Sequence, residues 1–245
     1  EGAVYVTDEG RCTLDFCHVT DHARAGVEAV RNGAMLLRRC RVHGGHTQGI
    51  IIAETAHARI LDCEISGHQH TNIAVLRQAR AVLRHCRIFG SRSNGVTVLD
   101  GGSATLEDCD IHDNQAANLG VAREGQVDVA RCQIRRGAAE GLVIRESGEA
   151  RLDSSDIGEN RRDGIDISRH GLLMLRGTSI RDNHGHGIEI SGGSRVRLEA
   201  CQFNNNQRSN IHVSGRSRVS WASETLPMGI YIMPDCDWQV ESGAA

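Results

Sequence analysis

Two segments, CRVHGGHTQGIIIAE (Cys40–Glu54) and TSIRDNHGHGIEISG (Thr178–Gly192), share one skeleton. A small residue, a spacer and a β-branched residue lead into a polar turn, and Gly-Ile-x-Ile follows. Their starting residues lie six intervals of 23 apart. The same interval separates Cys17, Cys40, Cys63, Cys86, Cys109 and Cys132, continues through Ser155 and Thr178, and returns to cysteine at Cys201. A fixed period of this length marks a chain built from stacked copies of one small unit.

Taking the cysteine position as the start of a coil gives nine full coils from Cys17 to Ser223 without insertion or deletion. Each contains three short alternating patches, exemplified by Cys63-Glu64-Ile65, Ile50-Ile51-Ile52 and Val196-Arg197-Leu198. Alternation with a period of two predicts strands with one buried face. Strands this short bury that face only by stacking coil on coil. Gly or Asn precedes the second strand in every coil, from Gly26 to Asn210, and these are the residues that tolerate positive φ best. The spacing therefore predicts an all-β, single-stranded, right-handed parallel β-helix with three strands per 23-residue coil. Residues 3–16 fit a partial first coil, and further sequence is expected upstream of Glu1. The β-helix is assigned to 1–223. Residues 224–245, rich in large side chains, are assigned as a segment that folds over the last coil and caps it.

Composition narrows the function classes. At 245 residues and a formal net charge of −3, broad electrostatic attraction to nucleic acid is not expected. No apolar run has membrane-spanning length, and no membrane role is expected. All 28 basic residues are arginine. Cysteines one coil apart would lie ~4.8 Å apart with parallel side chains, whereas a disulfide needs convergent Cβ atoms at ~3.8 Å. The cysteines are therefore read as buried free thiols, which favours the cytoplasm or another reducing compartment.

The pattern C-x-I-x6-G-I-x-V resembles the β-helical repeats named for carbohydrate-binding proteins and sugar hydrolases (CASH). Its constant coil length is most similar to the β-helix of F-box proteins carrying such repeats. The resemblance spans Val4 to Ser223 and implies the pectin-lyase-like fold. In F-box proteins it implies a substrate-recognition module, and in sugar hydrolases a catalytic scaffold.

Outward positions on the second strand separate these two functions. In the early coils they are apolar: Ile51, Ala53, Ala74, Leu76, Thr97, Leu99, Ala122 and Val143, with Val30 beside them. A contiguous stripe of this kind points to a protein partner or to self-association. Beside it runs a ladder of alternating charge, Arg31, Glu54, Arg77, Asp100, Arg123, Glu146 and Arg169, expected to pair between coils. In the later coils stacking places Glu140, Asp163 and His186 in one column and Asp166, Glu189 and His212 in another. Asp163-Gly-Ile-Asp-Ile167 and Gly185-His-Gly-Ile-Glu-Ile190 are similar to pieces of polygalacturonase motifs, which implies Asp163, Asp166, His186, Glu189 and His212 as a catalytic set on a glycan. The paired-aspartate and Arg-x-Lys motifs of that family are absent. His43, His46, His68 and His70 gather in early turns as weak candidates for a metal, and no cofactor is expected. The favoured expectation is a non-catalytic recognition scaffold using the apolar stripe. The alternative is a glycan-active hydrolase, lyase or epimerase using the later carboxylates.

Overall fold

The computed structural model describes residues 2–222 and 226–240. Its strands are three to five residues long and form three parallel sheets of eleven, eleven and nine strands. Sheet one contains Val27–Ala29, Ile50–Ile52, Ile73–Leu76 and their successors; sheet two Ala34–Arg38, His57–Leu61 and theirs; sheet three His18–Thr20 to Gln202–Asn204. Within each sheet the strands follow chain order. From Val4 to Trp221 every partner lies 23 residues away, as in Ile50↔Ile73↔Val96. The protein is an all-β parallel solenoid, as the repeat predicts.

Inward residues alternate with outward ones and fill one continuous core. Ile50, Ile52, Ile73, Val75, Leu83 and Ile88 are fully buried. All nine cysteines are free, and six of them are buried. The cysteine position has a specific bonding role. Each thiol at 40, 63 and 86 donates to the carbonyl two residues earlier, at 3.2 Å. Ser155 and Thr178 make the same bond with a hydroxyl, at 2.9 and 3.0 Å. The column therefore requires a small side chain with one donor, which explains why two coils dispense with sulfur. Burial pushes the Cys63 thiol up to about 11, so it stays protonated.

The corners differ from expectation in one respect. Gly49 and Gly164, which precede sheet-one strands, do not adopt positive φ. They are glycine because a Cβ would lie 2.6 Å from Asn72 O and 2.7 Å from Gly187 O of the adjacent coil. Left-handed residues stand elsewhere in the corners: one leaves sheet three at Asp21, Gly44, Gly67, Gly90, Asp113, Arg136, Glu159, Asp182 and Asn205, and another precedes the cysteine position, where Phe16, Arg39, Asp62, His85, Asp108, Arg131, Ser154, Gly177 and Ala200 have φ between 50° and 55°. A non-glycine residue there is strained by ~1 kcal/mol or more. Inter-coil backbone bonds hold it, such as Arg39 N to Leu61 O at 3.0 Å.

A buried polar column closes the corner between sheets three and one. Asn114, Asn160 and Asn183 are fully buried, and Asn206 stands next in the series. Their amides bond along the stack, Asn160 to Asn183 and Asn183 to Asn206 both at 2.9 Å. In the early coils histidine takes this position: His22 and His68 sit 5.3 Å apart in a tilted pair across Gly45.

The tail covers the last coil by continuing the stack. Ile230–Ile232 adds to sheet one and Asp237–Val240 to sheet two, both parallel. Trp238 stacks on the buried Trp221 at 6.5 Å. The tail is thus one more, shorter coil.

His68 gives the fold a pH signature. Its Nδ1 bonds Asn72 Oδ1 at 2.7 Å, and its buried Nε2 has no partner. Burial, reinforced by His22 and His43, lowers its pKa from 6.5 to about 4 against the opposing hydrogen bond. Between those values the unfolded chain binds the extra proton, so stability is complete above pH 6.5 and falls as pH drops toward 4. The loss is ~3 kcal/mol. Urea unfolding at pH 7 and pH 4 should show wild type losing about that much more than His68→Asn, which restores the column's own residue type. Equal losses would mean that His68 does not titrate with folding.

Candidate active face

Register places the two sequence-predicted sites in one column. Glu28, Ile51, Ala74, Thr97, Gly120, Val143, Asp166, Glu189, His212 and Tyr231 stack in order along the outer face of sheet one. Ala53, Leu76, Leu99 and Ala122 run alongside, so the apolar stripe leads directly into the polar cluster. The stripe faces outward but is shallow. Ala53, Ala74 and Thr97 are 4 %, 6 % and 9 % exposed, and Ile51, Leu76, Leu99, Ala122 and Val143 are half-buried. Gly120 supplies no side chain, and a depression of ≈ 310 Å³ opens there between Leu99, Val143, Glu140 and Arg145.

The polar cluster occupies the next three coils. Asp166 accepts a 2.6 Å hydrogen bond from Arg145 of the preceding coil. Glu189 meets His212 Nδ1 of the following coil at 2.6 Å. The neighbouring carboxylates are thereby turned toward opposite ends of the stack. His186 Nε2 lies 3.7 Å from the same Glu189 oxygen. The imidazoles of His186 and His212 stack at 5.0 Å, and Tyr231 stacks on His212 at 5.2 Å. Asp163 accepts the His186 backbone N–H at 2.6 Å, and Glu140, almost buried, reaches Arg162 at 3.4 Å. Burial raises the pKa of both Asp163 and Glu189; neighbouring carboxylates add to it, while the bond from His186 to Asp163 and that from His212 to Glu189 oppose it. Two half-buried acids that hold protons above the usual carboxylate range, beside an ion-paired one, form an arrangement suited to acid–base chemistry.

Among the described residues, His186, Glu189 and His212 are the group of three donors close enough to share an ion, all within 4.8 Å. Protonation argues against it. His186 Nδ1 accepts the Ser209 backbone N–H at 3.2 Å, so its neutral ring carries the proton on Nε2, the atom facing Glu189. The early-turn histidines do not converge: His43 contacts His18, His68 is buried against Asn72, and His46 and His70 are exposed.

Sequence reading did not place two members of this face. Arg145 lies two residues beyond Val143 and stacks on Ala122, so it continues the flanking column of Ala53, Leu76, Leu99 and Ala122. Tyr231 lies in Gly229-Ile-Tyr-Ile232, which carries the coil's own Gly-Ile-x-Ile skeleton, but it follows His212 by 19 residues instead of 23.

The family described as right handed beta helix region matches residues 1–89 and 71–225. This chain belongs to that family. A search of curated protein sequences returns no match. Among solved structures the chain is similar to the mannuronan C-5 epimerase AlgE6 A-module of Azotobacter vinelandii, at 12% identity and a TM-score of 0.57, over 99% of this chain and 82% of that one. Pectate lyase Pel9A is similar at 11% identity and a TM-score of 0.53, over 96% and 66%. The enzymatically active domain of bacteriophage CBA120 tailspike protein 2 is similar at 14% identity and a TM-score of 0.60, over 92% and 41%. At these identities the likeness is one of fold.

The double variant Leu76→Glu/Leu99→Glu checks the face. The two leucines are stacked partners on the outer surface. The variant should unfold within ~1 kcal/mol of wild type, as surface substitutions do. A loss of several kcal/mol would place these side chains inside the stack.

Proposed function

We propose that this face is the active site of a glycan-cleaving enzyme, with Glu189 as general acid and Asp166 as the carboxylate that activates water. The observation that carries this reading is the Asp166↔Glu189 register. Among the described strands it is the one place where two carboxylates are stacked partners, and their partners draw them apart along the stack. Glu189, its proton held by burial, donates that proton to the glycosidic oxygen as the anomeric C–O bond breaks. Asp166, ion-paired to Arg145, takes a proton from the water that adds to the anomeric carbon. His212 orients Glu189, and the stacked Tyr231 offers a ring face to a sugar.

Charge narrows the substrate. Glu140, Asp163, Asp166 and Glu189 outnumber Arg145 and Arg162, and both guanidiniums are already engaged. An uncharged glycan fits this balance better than a polyuronide, whose carboxylates would need unpaired cations. The half-buried floor from Ile51 to Val143 then serves as a bed for the chain leading into the cluster. The similarity in fold to a pectate lyase and a mannuronan epimerase supports the use of the scaffold for glycans; those two are named for acidic glycans, and it is the charge of this face that favours a neutral one here. The second reading, a protein partner or self-association through the stripe, rests on its continuity over five coils.

Release of reducing ends from a panel of neutral and acidic polysaccharides tests the proposal. Wild type should cleave a neutral glycan. Glu189→Gln and Asp166→Asn should each lower the rate by ~10²-fold or more, with the thermal midpoint little changed. Activity should fall as pH rises past the elevated pKa of Glu189, since the acid form is then lost. A folded wild-type protein with no activity across the panel would overturn the enzymatic reading. If the Leu76→Glu/Leu99→Glu protein also lost a self-association seen by sedimentation, the scaffold reading would take its place.

A further inference from the structure

The corner between sheets one and two changes character near the C-terminal end. In the earlier coils its two-residue left-handed turns carry side chains, and these pair in twos: Asp8 with Arg31 at 2.8 Å, Glu54 with Arg77 at 2.9 Å, Asp100 with Arg123 at 2.5 Å and Glu146 with Arg169 at 2.9 Å. The series ends at Arg169. The next turn is Gly192-Gly193, with φ of +60° and +72°, and the one after is Gly215-Arg216. A Cβ on Gly192 would lie 2.7 Å from Arg169 N, and one on Gly193 2.9 Å from His170 Nδ1. The bare turns leave a depression of ≈ 500 Å³ lined by His170, Gly192, Gly193, Arg195, Gly215, Arg216 and Arg218. No lining residue is acidic.

A second observation comes from the strands. Arg195 and Arg218 are stacked partners, and among the described strands they are the one pair of arginines in direct register. Elsewhere on this sheet arginines stack on acids or on uncharged and histidine side chains: Arg84 on Glu107, Arg176 on Glu199 and Arg151 on Asp128. Like charges stacked one strand apart repel. Asp237 relieves part of this by bonding Arg218 at 3.1 Å from the far side. Arg195 and Arg216 face the depression over a glycine floor.

We propose that this corner binds a tetrahedral oxyanion, phosphate or sulfate, either free or as an ester on a glycan. Arg195 and Arg216 supply the charge-assisted hydrogen bonds, Arg218 and His170 complete the wall, and the glycine turns admit the anion close to the backbone. The site lies on a different corner from the proposed catalytic face and does not depend on that reading.

Isothermal titration at constant ionic strength, with inorganic phosphate, inorganic sulfate, a sulfated oligosaccharide and its desulfated form, tests this. Wild type should bind at least one of the first three saturably and the desulfated sugar not at all. Inorganic anions binding as well as the sulfated sugar would indicate a free-anion site, and the sulfated sugar binding far more tightly an ester site. Arg195→Gln and Arg216→Gln should each weaken binding at least tenfold. In low-salt chloride, Arg195→Gln should raise the thermal midpoint by removing the stacked repulsion, which separates lost binding from misfolding. Absence of saturable binding, binding unchanged in both Arg195→Gln and Arg216→Gln, or equal binding of the desulfated sugar would overturn the proposal.

Discussion

Every feature of this protein depends on one constraint, the constant length of the coil. Among residues Val4 to Trp221 stacked partners lie 23 apart in sequence and one strand spacing (~4.8 Å) apart in space, and only the step onto Ile230–Ile232 and Asp237–Val240 shortens this to 19. Each of the 23 positions is therefore a column whose members must be compatible with themselves. Apolar columns satisfy this by packing, as Ile50, Ile73 and Val96 do. The cysteine column satisfies it with a bond each member makes to its own coil. The asparagine column does so because an amide donates to one neighbour while it accepts from the other. Charged columns satisfy it only by alternating, as Glu54 with Arg77 and Asp100 with Arg123 do. Such exposed pairs contribute little individually, ~0–1 kcal/mol. Their consequence lies in avoiding the alternative, in which eight like charges would line one corner.

Against that background the exceptions are informative. Asp166 over Glu189 and Arg195 over Arg218 set like charge on like charge in direct register. Both occur within three consecutive coils, on different sheets. The acidic pair is relieved from outside, by Arg145 on one side and His212 on the other, and by Glu189 holding its proton more strongly than an ordinary carboxyl. The basic pair is relieved on one side only, by Asp237. Sites of chemistry are where a repeat protein departs from self-compatibility, because catalysis and ion binding need unbalanced charge that packing alone would remove.

The fold was legible in the sequence because its information is periodic. The cysteine interval, the Gly-Ile-x-Ile skeleton and the alternating ladder from Arg31 to Arg169 each fix the same register, and the core follows from it. The candidate face was half legible. Stacking alone aligned Asp166, Glu189 and His212, but Tyr231 was hidden because the last coil is four residues short. The left-handed residue before each cysteine was invisible, since Phe16, Arg39, Asp62 and His85 share no composition that marks positive φ. There the tertiary bonds impose the conformation. The early histidines read as turn residues and weak metal candidates, because His22, Gly45, His68 and Ser91 hide a column that becomes recognisable only where asparagine takes over. The pre-strand glycines were legible but for the wrong reason: where glycine stands, the next coil's carbonyl and not the backbone angle leaves no room for a Cβ, while the coils of Asn72, Asn118 and Asn210 accommodate a side chain.

The position of the unbalanced columns also has an energetic logic. In a solenoid each coil is stabilised mainly by its two neighbours, so a cost placed in one coil stays local. The coils carrying the stacked carboxylates and arginines lie near the C-terminal end, where a coil with no successor would lose half of its contacts. The shortened final coil supplies them. Its Ile230 and Ile232 extend sheet one beyond His212, and its Trp238 lies over Trp221, itself packed 6.4 Å from Phe203. Trp221 and Trp238 are the two tryptophans of the sequence; Trp221 shares its strand with Arg218, and Trp238 lies on the strand stacked next to it. Burial of aromatic surface of this size contributes several times what a stacked pair of exposed like charges costs. The same short coil that completes the aromatic stack also brings Tyr231 beside His212 and Asp237 beside Arg218. It stabilises the coils that bear the unbalanced charges, adds Tyr231 to the proposed catalytic face and offsets part of the arginine charge from outside the proposed anion site.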